Sequence, residues 1–140
     1  MNGPSSSPVR APSRLALRAG WTMSALVIVF LLMDGAIKLV PLPVVNQTLA
    51  ALGYADSDTL SRGIGVLTLA CALLYAWPRT ALLGAILMTG LMGGAMAAHL
   101  RVGSPVLSHL LFGFYLGALA WLGLWLREPG LRAWLPWSRR

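Results

Sequence analysis

CALLYAWPRTALLGAILMTGLMGGAMAAHL, residues 71–100, holds one charged residue in thirty, and that residue, Arg79, follows a proline. Proline ends a helix and turns the residue before it away from helical geometry. The stretch therefore divides at Pro78-Arg79 into two apolar runs. Each extends to about the 20 residues that cross a bilayer core as a helix. Both runs are continuous rather than alternating, which argues against strands of a membrane barrel. A turn this short makes the two helices antiparallel neighbours, so the fold is read as membrane helices packed side by side.

Working outward gives four spans, at about 21–40, 60–77, 80–98 and 105–126. The first stops at Pro41 and Pro43. Asp56 or Ser57 is a candidate cap for the second. Ser104-Pro105 reads as an N-cap followed by proline at the first helical position of the fourth. Between the first two spans, Val45, Leu49 and Leu52 recur at helical spacing and predict a short helix at the membrane surface. Gly90, Gly94 and Ala98, and again Gly113 and Gly117, are small residues at four-residue spacing. That pattern lets membrane helices approach closely, within the chain or between chains.

Composition agrees. The chain has 140 residues, 57% hydrophobic and 11% charged, against about 25% charged in a soluble domain. The formal net charge is +7. It forms no basic face with stacking aromatics, so nucleic acid is not the expected partner. The lipid bilayer is. With an even number of spans, Arg10, Arg14, Arg18, Arg79, Arg127, Arg132, Arg139 and Arg140 share one side, and Lys38, Arg62 and Arg101 the other. This bias places both termini in the cytoplasm, and the six tryptophans fall toward that same side. Residues 1–20, rich in Ser, Pro and Arg, read as a disordered basic tail. Residues 127–140 read as a second basic tail at the interface. Cys71 is the one cysteine; it excludes an internal disulfide and reads as a buried thiol.

The polar residues gather at the opposite end. Asp34 and Lys38, four apart, share a face of the first span in the favourable order for a pair. His99 closes the third span, and His109 lies about one turn into the fourth. Asp34, Lys38, His99, Arg101, Ser108 and His109 thus fall at one depth on three helices, and intramembrane ionisable groups are functional candidates by default. No metal site is expected, because no ligand spacing is fixed and Lys38 and Arg101 oppose a cation. A quinone-like or anionic small molecule suits the set better: histidine and lysine donate to oxygens, and Asp34 can orient a histidine and take up protons.

These residues resemble a known family. DG-x-x-K at 34–38, the segment CALLYAWPRTALLGAILMTGLMGGAMAAHLRVGSPVLSH at 71–109, and FYLGALAWLGLWLREPGLR at 114–132 are similar to the DoxX-like small membrane proteins. The resemblance covers about residues 30–135. It implies a four-helix bundle in a bacterial cytoplasmic membrane and a link to redox or envelope-stress systems, including a membrane subunit of a quinone-linked oxidoreductase. It assigns no catalytic residue, and a fold does not transfer an activity.

The chain carries no nucleotide-binding glycine loop, nucleophile constellation or cysteine metal site. The expectation is therefore an accessory, ligand-binding subunit with redox partner proteins, not an autonomous enzyme, with a quinone as the candidate cofactor. Two alternatives stand beside it: a proton-coupled transporter working as a homodimer, and a structural scaffold whose polar cluster locks the bundle.

Overall fold

The first helix begins where serine offers a hydroxyl to a bare helix end. Ser13 Oγ accepts from Ala16 N at 3.2 Å, and α1 runs from Arg14 to Leu39. The computed structural model describes residues 13–40, 42–55 and 57–134. Pro41, Asp56 and the tail segments 1–12 and 135–140 lie outside the described residues. The remaining elements are α2 (Pro43–Ala51), α3 (Asp58–Ala76), α4 (Ala81–Arg101), a π-helical turn (Val106–Leu110), α5 (Phe112–Arg127) and α6 (Pro129–Trp134). Helix α1 starts at Arg14 rather than near Trp21, so residues 14–20 are helical and not tail. The capping serine and the apolar Leu15 and Leu17 between Arg14 and Arg18 extend it beyond the purely apolar run.

Among the described residues, four segments are long and apolar enough to cross a membrane: Arg14–Leu39, Asp58–Ala76, Ala81–Arg101 and Val106–Arg127. They run up, down, up and down. Helix α1 packs against α3 and α5, and α4 closes the ring between the same two. Short connections enforce this order. One end of the bundle carries Arg14, Trp77 and Arg127; the other carries the histidines.

The interior combines small and polar positions with a few bulky side chains, among them Leu31, Tyr75, Met88 and Leu124, while many other large apolar side chains lie outside. Gly20, Ser24, Val27, Leu31 and Gly35 are the buried face of α1, while Leu26, Val29, Met33 and Ile37 point outward. Ser61, Gly65, Thr68, Ala72 and Tyr75 do the same on α3. Among lipid tails apolar burial does not drive association, so close backbone approach and hydrogen bonds must. A Cβ on Gly84 would come within 2.3 Å of Tyr75 N, and one on Gly35 within 3.1 Å of Gly65 O. The small-residue patterns read from sequence divide between inside and outside. Ala98 is buried and Gly113 abuts Met96 and Met92, but Gly90, Gly94 and Gly117 meet no atom within 4 Å. Cys71 is buried and reduced.

The expected surface helix is α2. Pro43 occupies its first turn, Val45 and Leu49 are buried, and Asn46 Nδ2 reaches Asp58 at 2.6 Å to tie it to α3. It ends in a Schellman arrangement, with Gly53 N bonding Ala50 O at 2.8 Å and Tyr54 N bonding Leu49 O at 3.0 Å. Gly53 at φ +79° supplies the left-handed residue this ending needs. Ser57 caps α3 through Leu60 N at 3.4 Å.

Candidate functional site

The α4–π-turn corner is where the two histidines meet. Helix α4 ends at Arg101, and Gly103, at φ +68°, turns the chain back. The returning segment opens as a π turn, with Leu110 N bonding Pro105 O at 3.2 Å and Leu111 N bonding Val106 O at 2.9 Å. Single π turns recur at functional sites. Ser104 does not cap this helix, as the sequence suggests it should. Its hydroxyl lies 2.9 Å from His99 Nδ1. Ser108 Oγ lies 2.8 Å from His109 Nδ1. The two imidazoles stand edge to face, their centres 5.8 Å apart at 61°.

This geometry has a chemical consequence. Each Nδ1 is held by a hydroxyl that can either donate or accept. Neither Nε2 has a hydrogen-bond partner among the described residues. When the serine donates, Nε2 carries the proton and is a donor; when the serine accepts, Nε2 is an acceptor. The pair therefore offers two adjacent nitrogens of reversible polarity. No group of three His, Cys, Asp or Glu side chains gathers among the described residues, and two such nitrogens suit hydrogen bonding to an oxygen.

The other candidates sit apart from this pair. Lys38 Nζ bonds Asp34 Oδ1 along α1. The pair lies against α3, where Ser61 Oγ donates to the Lys38 carbonyl at 3.3 Å. Asp34 orients neither histidine; the serines do. Arg101 Nη2 donates to the Leu52 carbonyl at 2.6 Å, and its guanidinium lies 5.9 Å from the centre of the Tyr54 ring. It thus caps α2 and clamps the α2–α3 connection to the end of α4. Ser108 joins the histidine corner. The six residues share a depth, but they form three separate arrangements.

The far end holds a cluster that reading by charge did not anticipate. Ser24 Oγ lies 3.0 Å from Tyr75 Oη, which donates to the Ala120 carbonyl at 2.7 Å. Arg127 is 4% exposed. Its Nη2 donates to the Tyr75 carbonyl at 2.8 Å, and its guanidinium lies 4.5 Å from the Trp21 ring centre and 4.8 Å from that of Tyr75. Nε and Nη1 are buried with no hydrogen-bond partner among the described residues.

Two of the recesses among the described residues lie at the bundle's helix seams. One, about 160 Å³, lies at the tail end between Arg79, Leu82, Glu128 and Leu131. The other, about 290 Å³, is an apolar groove between α4 and α5 lined by Thr89, Gly93, Met96, Gly113, Gly117 and Trp121.

A model of the DoxX-like family matches residues 22–123. That span takes in the histidine corner and stops short of Arg127. No curated protein and no solved structure matches the chain.

Proposed function

The chain belongs to the DoxX-like family, and from that premise we propose that it is a multi-pass membrane subunit that holds a quinone-like molecule at the His99–His109 corner. The observation that carries this reading is the pair of imidazoles whose Nδ1 atoms are fixed by Ser104 and Ser108 while both Nε2 atoms stay unengaged. A quinone presents carbonyl acceptors and its reduced form presents hydroxyl donors. A nitrogen whose role follows the imidazole tautomer, beside a serine hydroxyl able to partner either form, accommodates both.

The charge bias supports a reading with both termini in the cytoplasm and the histidine corner near the opposite face, and on this proposal the protein sits in a bacterial inner membrane. The absence of a nucleophile or electron-carrying motif in the sequence favours an accessory role beside a redox partner, with self-association as a further level of assembly. Asp34 and Lys38 pair along α1 outside the corner, and Arg101 holds the α2–α3 connection to the end of α4.

The test is gentle purification, followed by mass spectrometry of the extracted small molecules and titration with a benzoquinone. A quinone retained by the wild type and lost from both His99→Ala and His109→Ala is the expected result. A wild type that retains none and shows no response to added benzoquinone refutes the reading.

A further inference from the structure

The groove between α4 and α5 begins at Met96 and Gly113, one turn below the histidine corner. On α4, His99, Met96, Gly93 and Thr89 descend one face at intervals of three or four residues. On α5 and the turn before it, His109, Gly113, Gly117 and Trp121 descend at intervals of four, the spacing that stacks residues on one helix face. The facing levels are observed contacts. The imidazoles meet at the top, and Gly113 abuts Met96 one turn below. Trp121 Nε1 donates to Thr89 Oγ1 at 2.9 Å and closes the bottom. Between these levels lies the 290 Å³ groove. It runs about 10 Å along the helices, from the seven residues separating Met96 and Thr89 at about 1.5 Å each.

Resting on the quinone reading above, we infer that this groove receives the apolar tail of the same ligand, so the ligand class is a long-chain quinone that reaches the site sideways from the lipid. The polar corner and the apolar groove form one amphipathic site, head above and tail below. The mouth offers imidazoles and serine hydroxyls. Its neighbouring cation, Arg101, is committed to the Leu52 carbonyl and the Tyr54 face. That composition suits a neutral carbonyl head over a phosphate. The groove floor is open at Gly93 and Gly117, where an added Cβ meets nothing within 4 Å. A larger side chain there fills the groove without disturbing the bundle.

The experiment uses the full chain in phosphatidylcholine nanodiscs, with quenching of tryptophan fluorescence as the readout. Two probes are titrated: a benzoquinone with a ten-carbon chain and the same ring without it. Wild type, Gly117→Leu, His99→Ala and His109→Ala are compared, each probe judged by its ratio to wild type so that partitioning into lipid cancels. Gly117→Leu should weaken the chain-bearing probe about tenfold, a 1.4 kcal/mol effect, and leave the chainless ring unchanged. Both histidine variants should weaken both probes. If Gly117→Leu binds the chain-bearing probe like wild type while the histidine variants lose both, the tail inference falls and the head reading stands. If wild type binds neither probe, both fall. If the chain-bearing probe ignores the histidine variants but is lost in Gly117→Leu, the groove is an acyl-chain cleft and the inference is overturned. A changed oligomeric state in Gly117→Leu with unchanged probe affinity makes it a protein contact and overturns it as well.

Discussion

Arg127, at the end of α5, donates a hydrogen bond to the backbone carbonyl of Tyr75 on α3, 2.8 Å away. Helix α3 stops at Ala76, so this carbonyl has lost the helical donor it would otherwise have. Its neighbour, the Leu74 carbonyl, takes the Thr80 hydroxyl at 2.8 Å. The guanidinium thus closes a helix end that is negative by its dipole, while the rings of Trp21 and Tyr75 lie against it. No carboxylate pairs with it among the described residues. Only a delocalised, planar cation can bond a carbonyl and lie on two rings at once. Arg127→Lys keeps the charge and loses the geometry, and should lower unfolding free energy by about 2–3 kcal/mol. Arg127→Met loses the bond but also removes the buried charge and its two orphaned N–H groups, and should cost about 1 kcal/mol. Detergent-unfolding titrations give the order; a lysine variant as stable as wild type contradicts it.

The Tyr75 hydroxyl binds three helices together. It donates to the Ala120 carbonyl on α5 and shares a hydrogen bond with Ser24 on α1. Both hydroxyl-bearing residues are fully buried. Tyr75→Phe strands Ser24 and should cost about 1–2 kcal/mol. Ser24→Ala leaves the bond to Ala120 intact and should cost less. The two are in contact, so the double variant should be milder than the sum of the singles. Strict additivity in the same titration shows that the bond contributes nothing.

Much of this architecture was readable along the chain. Continuous apolar runs, Pro78 and Ser57 placed the four long helices, and Val45 with Leu49 placed α2. What one dimension hides is the direction each side chain takes around its helix. Asp34, His99 and Arg101 share a depth, and depth can be counted; partner choice depends on azimuth, and there they part. By charge alone Arg127 falls in the basic interfacial tail, where charge at the end of a span ordinarily lies. The missed signal was register. Gly113, Leu116, Ala120, Gly123 and Arg127 form one buried stripe on α5. Ser61, Gly65, Thr68, Ala72 and Tyr75 form another on α3. Counted at alternating steps of three and four, both stripes lead to the polar residues of the tail-end cluster.

The Asp34–Lys38 pair is predicted to be a modest lock. Its side chains are 34% and 20% exposed, and pairs of this kind couple by about 0.5–1 kcal/mol. A double-mutant cycle of Asp34→Asn and Lys38→Met should return that value. Because serines hold the imidazoles, Asp34→Asn should retain as much quinone as wild type. Loss of quinone without loss of stability places Asp34 in the site after all.

Helix packing gives the sharpest contrast. A Cβ at Gly84 would lie 2.3 Å from Tyr75 N and 2.6 Å from its Cα, both backbone atoms that cannot rotate away. Gly84→Ala must therefore push α4 off α3, close to the point where Tyr75 anchors Arg127 and Ser24. It should cost about 2–3 kcal/mol, at the upper end for overpacking. Gly94 has the same residue type in the same helix but faces open space. There alanine restores helix propensity worth up to about 1 kcal/mol, so Gly94→Ala should be neutral or stabilising. Thermal unfolding of the two variants in one detergent tests both. If Gly94→Ala destabilises instead, the open face of α4 is covered by another molecule, and the loss should grow when the protein is concentrated enough to associate.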